Sequence, residues 1–281
     1  MARNTVLVTI VLTTVALGAA MAAAVAAVVW GGLYSVAGTE PHYQPVFALF
    51  ETAARQSVRL RARGIEAPDL SGDALLQQGV ACFRAHCVQC HGAPGIAPGD
   101  IGKSMNPLPG PLVPVVRHWR PRELYWITRH GMRMTGMPAW ERRLADGQIW
   151  AVVAFLQRLP ELDPRLYAAL AASAAPGCAT PAQLQPLRAG DADRGREALL
   201  HYACRSCHII PGRSGSAVHV GPSLETIGRR AKIAGVLPNT PENMARWLRQ
   251  TQQVKPMTAM PDLGVSAQDA ADIAAYLATL R

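Results

Sequence analysis

The strongest constraint on this chain is a short motif that occurs twice. Residues 86–92 read HCVQCHG and residues 203–209 read ACRSCHI, so Cys87-x-x-Cys90-His91 recurs as Cys204-x-x-Cys207-His208. Two thiols at this spacing, followed at once by an imidazole, suit a zinc site, a redox disulfide or covalent attachment of haem. Zinc takes four ligands, usually from two such pairs, and neither motif has a second Cys or His pair nearby. A redox Cys-x-x-Cys belongs beside a βαβ pattern, and none is visible. Cys-x-x-Cys-His is the signature of c-type haem attachment. Both thiols add to the haem vinyl groups as thioethers, and the adjacent histidine then falls under the iron as its proximal ligand. Two copies in equivalent places predict two covalently attached haem c groups.

The motifs sit in two copies of one plan, each about 90 residues long. In each, a helical pattern leads into the motif, a loop follows, then a helix, a Met-Pro step and a closing helix. Ser71 or Asp73 is a reasonable N-cap for the first of these helices. Further helical segments run from Pro121 to His130, Asp146 to Leu159, Pro241 to Thr251 and Ala267 to Leu280. No strand-rich region is visible, so the fold class is all-α. First and last helices of each unit should cross, Gly79 and Phe83 against Trp150, Val153 and Leu156, and Gly195 and Leu199 against Ile273, Tyr276 and Leu277. The implied division is a transmembrane anchor over 1–34, a juxtamembrane helix and linker over 35–70, a first haem domain over 71–163, an Ala/Pro-rich linker over 164–188 and a second haem domain over 189–281.

No charged side chain occurs from Asn4 to Thr39. A spanning helix needs roughly 20 apolar residues, and Thr5 to Trp30 supplies them; the alanines around Ala22 to Ala27 offer the alternative of a signal-peptide cleavage site. Arg3 ahead of the span argues for an N-inside orientation, with everything after Tyr34 across the membrane. The net charge is +9, from 28 Lys+Arg against 19 Asp+Glu. No basic run or nucleic-acid motif accompanies it, which turns the reading away from nucleic acid. Pro41 to Gly64 has an apolar face and a basic C-terminal half, fitting a helix on the membrane, one docked on a partner subunit, or a spacer.

Sulfur is the expected sixth ligand. "HGMRMTGMPAWE" offers His130, Met132, Met134 and Met137; "VKPMTAMPDLG" offers Met257 and Met260. Met137 and Met260 share a Met-Pro step, 46 and 52 residues beyond His91 and His208, and proline holds each in a loop. Met132 and Met134 read better as core filler, as does Trp140, and His130 stays an alternative ligand. Cys82 and Cys178 are left over, on the oxidising side where a disulfide would persist.

These features resemble a known family. "GVACFRAHCVQCHG", "MTGMPAWE" and "WAVVAFLQRLP" make the first unit similar to a class I cytochrome c domain of membrane-anchored dihaem cytochromes. "CRSCHIIPG", "VGPSL", "LPNTPENMARWLR", "VKPMTAMPDLGVS" and "DIAAYLATL" make the second similar to the cytochrome c domain fused to subunit II of haem-copper cytochrome c oxidases. The resemblance implies that Cys87, Cys90, His91 and Met137 hold one haem and Cys204, Cys207, His208 and Met260 the other, with iron bound by His91, Met137, His208 and Met260. It also implies that the Pro222 carbonyl orients the His208 ring. "NPLPGPLVP" in the first unit leaves several prolines open for that role. Nothing in the chain matches the copper-binding part of such oxidase subunits.

Iron with both axial positions filled has no place for oxygen or peroxide, and His/Met ligation raises its potential. The expected role is therefore electron relay and no enzyme activity of the polypeptide itself. The protein would be tethered to the bacterial inner membrane with its haem domains in the periplasm, part of a respiratory chain. A haem-copper oxidase would accept its electrons and a quinol-oxidising complex would donate them. The alternatives are the cytochrome subunit of a periplasmic dehydrogenase, or a dihaem peroxidase, which should lack one of the two methionines.

Overall fold

The computed structural model describes residues 2–175, 178, 186–212 and 220–281. Helix α1, Ala2–Trp30, is long and apolar enough to cross a membrane over Asn4–Trp30, with mean hydropathy 2.3 and none of that window buried. Its polar side chains are satisfied internally. The hydroxyls of Thr9, Thr13 and Thr14 donate to the carbonyls of Thr5, Thr9 and Ile10 at 2.8–2.9 Å, as an apolar surrounding demands.

Helix α2, Gln44–Arg61, is docked at one end and bare at the other. Val58 and Ala62 are buried where its C-terminal half packs on α4, Pro121–His130, while Phe47, Leu49 and Phe50 stay exposed. So half of this amphipathic helix belongs to the first unit.

In that unit α3, Asp73–His86, crosses α5, Asp146–Arg158. Gly72 stands at the N-cap of α3, because Ser71 turns back onto Asp69. Gly79 lies so close to the Ala151 carbonyl that no side chain fits there. Phe83 meets Phe155 with ring centroids 4.8 Å apart. The small residue at the crossing was expected; its neighbours are Ala151 and Phe155, because Trp150 turns away to stack on Tyr125 at 4.2 Å. Part of the Ala/Pro-rich stretch is helical: α6, Pro164–Ser173, starts where Asp163 accepts from the N–H groups of Arg165 and Leu166. Tyr167 buries this helix against α3 and α5. Cys82 on α3 forms a disulfide with Cys178, closing a separation of 96 residues. Residues 179–185 of the expected linker lie outside the described residues.

The second unit repeats the crossing with α7, Ala192–Ala198, and α9, Ala267–Thr279. Gly195 sits on the backbone of Asp272 and Ile273. Helix α8, Pro241–Arg249, capped by Thr240, packs on α9 through Met244, Trp247 and Leu248. The described strands are β1, Lys232–Ile233, and β2, Leu237–Pro238, an antiparallel pair of two residues each. The fold is mostly helical, as its periodicity predicted.

Candidate haem sites

In the first unit the motif forms the end of α3 and a one-turn helix, Val88–His91. It faces a cavity of about 1270 Å³, mouth included, whose wall includes Cys87, Cys90, His91, Met105, Met132 and Met137. The remaining lining is largely apolar, with Phe83, Leu124, Val152 and Leu156 at its floor. His91 Nδ1 lies 3.1 Å from the Gly110 carbonyl. A carbonyl only accepts, so Nδ1 carries the proton and Nε2 keeps its lone pair for a metal. None of the prolines of "NPLPGPLVP" takes this role; Gly110 does.

Met137 stands on a loop with firm support. Its N–H donates to Thr135 Oγ1 at 3.1 Å, and its carbonyl accepts from Met132 N at 3.2 Å. Gly131, with φ +66°, passes within 2.7 Å, as a virtual Cβ, of the Met137 carbonyl, so only glycine fits. Trp140 follows, half-buried, lining the cavity and lying 4.9 Å from the His86 ring. Met132 also lines the cavity, whereas Met134, expected as core filler, is 79% exposed. His130 faces a separate depression beside Ile65, Tyr125 and Trp150, and packs on Trp126 and Glu141.

In the second unit Ala203, with φ +54°, turns the chain into a short 3-10 helix, Cys204–Ser206. Cys204 is buried in an apolar cluster against which Met260 also packs. His208 Nδ1 donates to the Pro222 carbonyl at 2.8 Å, and Gly221 lies flat against the same ring. Gln252 Nε2 braces the methionine loop, donating to the Thr258 and Met260 carbonyls at 2.9 and 2.8 Å. Met257 is 97% exposed.

The thiols argue against redox exchange. Burial, reinforced by Cys90, pushes Cys87 up to about 12, and burial pushes Cys204 up to about 11. Redox and metal-binding cysteines need the opposite, a stabilised thiolate. Among the described residues no group of three or more His, Cys, Asp or Glu is arranged to hold a metal. A pair of free thiols on the wall of a large apolar cleft, beside an imidazole with its lone pair free, suits haem.

Comparison with known proteins agrees. Residues 74–156 match the family model described as cytochrome C oxidase, cbb3-type, subunit III, and residues 192–281 match that described as cytochrome c. The chain carries two cytochrome c domains. A stretch of 93 residues, 32% of this chain, is 36% identical to cytochrome c oxidase subunit 2 of Alkalihalophilus pseudofirmus, covering 26% of that protein. Another of 71 residues, 25% of this chain, is 34% identical to cytochrome c oxidase subunit 2 of Bacillus subtilis, covering 20% of it. The chain thus spans about a quarter or less of the length of these relatives. Cytochrome c domains imply covalently bound haem c, and the chain is an electron-transfer cytochrome related to oxidases with a candidate membrane anchor.

Gly110, Met105 and Gln252 carry no advance signal in the sequence. Gly110 acts through its backbone carbonyl, which every residue type possesses, Gln252 acts through a side-chain amide that reaches two carbonyls ahead of it, and Met105 lies in a loop with no periodic signal.

Proposed function

We propose that this protein is a membrane-tethered dihaem cytochrome that relays single electrons on the periplasmic side, as donor to or subunit of a haem-copper terminal oxidase. Haem c, when bound, supplies an iron that cycles between ferrous and ferric states. Cys87 and Cys90, and Cys204 and Cys207, would anchor it, and His91 with Met137, and His208 with Met260, would hold its iron. The observation that carries this reading is the grouping of Cys87, Cys90, His91 and Met137 around one apolar cavity.

The residues do the remaining work. Gly110 and Pro222 fix the imidazole tautomers, so that Nε2 stays aimed at the metal. The apolar wall excludes water and favours the less charged, reduced state. With a histidine and a methionine both holding each iron, no position would remain for oxygen, and the protein would act as a conductor. The anchor raises its local concentration near membrane-bound partners, and its surplus of arginine steers it to acidic docking faces.

The test is affinity purification of the full chain from native membranes, with spectra of what accompanies it. Co-purifying haem a and copper supports the oxidase partner. A flavin or molybdenum enzyme in its place would overturn it in favour of a dehydrogenase.

A further inference from the structure

The loop that carries Met137 continues to the second domain. After Trp140, whose N–H is held by the Arg129 carbonyl at 3.0 Å, three consecutive residues reach across. Glu141 Oε1 accepts from His201 Nε2 at 3.2 Å. Arg142 Nη1 donates to Asp269 Oδ1 at 2.9 Å, with both side chains largely buried. Arg143 Nη2 donates to the His201 carbonyl at 2.8 Å, and its guanidinium lies 4.7 Å over the Tyr202 ring. On the far side Tyr202 donates to Asp269 Oδ2 at 2.6 Å, which ties the joint into the α9 N-terminus. Arg129 and His130 also face Glu141, each at 3.7 Å.

Both segments run straight into haem-binding positions. Pro138, Ala139 and Trp140 separate Met137 from Glu141; Tyr202 and Ala203 separate His201 from Cys204. An interface between domains of one chain ordinarily permits relative motion. This one is made of charge-assisted bonds whose geometry is directional, so it fixes orientation as well as contact.

We infer that Glu141, Arg142 and Arg143 are positioning residues that hold the two haem-attachment segments as redox neighbours, so that electrons pass between the domains within one chain. The inference rests on the dihaem reading above. With haem c bound, the step would pass one electron from the reduced group of one domain to the oxidised group of the other, with no bond formed or broken and no proton moved.

The test compares full-length wild type with Glu141→Ala/Arg142→Ala and with Glu141→Gln, which keeps an acceptor oxygen for His201. Two readouts are taken: amide hydrogen exchange over residues 140–144 and 200–204, and haem-methyl NMR of half-reduced protein over a dilution series. Wild type should give averaged signals that survive dilution. The double variant should exchange its joint amides faster and split its haem signals into two sets, while Glu141→Gln keeps the averaging. Unchanged amide exchange in the double variant would show that no such joint forms. Faster amides with averaging intact would show that the joint does not govern transfer. If oxidised wild type lacks methionine-to-iron absorption, the ligation proposed above fails, while the amide data still decide the joint.

Discussion

His208 Nδ1 donates to the Pro222 carbonyl at 2.8 Å, and the residue just before that proline, Gly221, presses on the face of the same ring. A Cβ at position 221 would stand 2.5 Å from His208 Cε1 and 2.7 Å from Nδ1. Gly221→Ala should therefore push the imidazole off its carbonyl and lower the stability of the second domain by about 1–3 kcal/mol, the usual scale of overpacking. Thermal unfolding followed at the haem absorbance checks this; an unshifted transition would refute it.

Sulfur ligation gives a sharper spectroscopic expectation. Oxidised protein should show the near-infrared methionine-to-iron charge-transfer band from both centres. Met137→Ala and Met260→Ala should each remove one contribution. Met105→Ala and Met132→Ala, which change residues on the wall of the first cavity, should leave the band in place.

The disulfide between Cys82 and Cys178 spans 96 residues, long enough for cross-linking to remove much chain entropy from the unfolded state. Cys82→Ser/Cys178→Ser should cost the first domain about 2–5 kcal/mol. Calorimetry should also show that reductant brings wild type to the level of the double variant, since thioether bonds to haem withstand it.

Asp272 supplies the pH dependence. Burial alone would push its carboxyl up, but Arg194, the Asp191 N–H and Gln268 outweigh this and hold it below the usual range. A depressed carboxyl stabilises fully above its unfolded value and loses that contribution as pH falls through the folded one. Asp272→Asn should cost the second domain about 1–3 kcal/mol at neutral pH. The deficit should narrow below about pH 4, near the unfolded aspartate value. Denaturant melts at several pH values measure it; a deficit that widens in acid would contradict the assignment.

Much of this architecture was legible in the sequence, because its causes are local. Cys-x-x-Cys-His needs only one turn of chain, and Gly79 and Gly195 advertise close helix crossings by lacking a side chain. The start signal of α6, Asp163 followed by Pro164, was masked by the Ala-rich composition around it. What stayed hidden depends on distance. Nothing near Cys82 announces Cys178, and Glu141, Arg142 and Arg143 look like an ordinary solvated run until His201 and Asp269 are brought to them. The Gly110 carbonyl has no sequence signature at all.

The cross-link at Cys178 also shortens the leash between the two domains. Because that cysteine is bonded to α3, the chain from it to the α7 cap at Asp191 is 13 residues, which could span at most about 45 Å fully extended. A tether that short corresponds to an effective concentration of one domain about the other on the order of millimolar. A handful of directional polar contacts is enough to hold such neighbours.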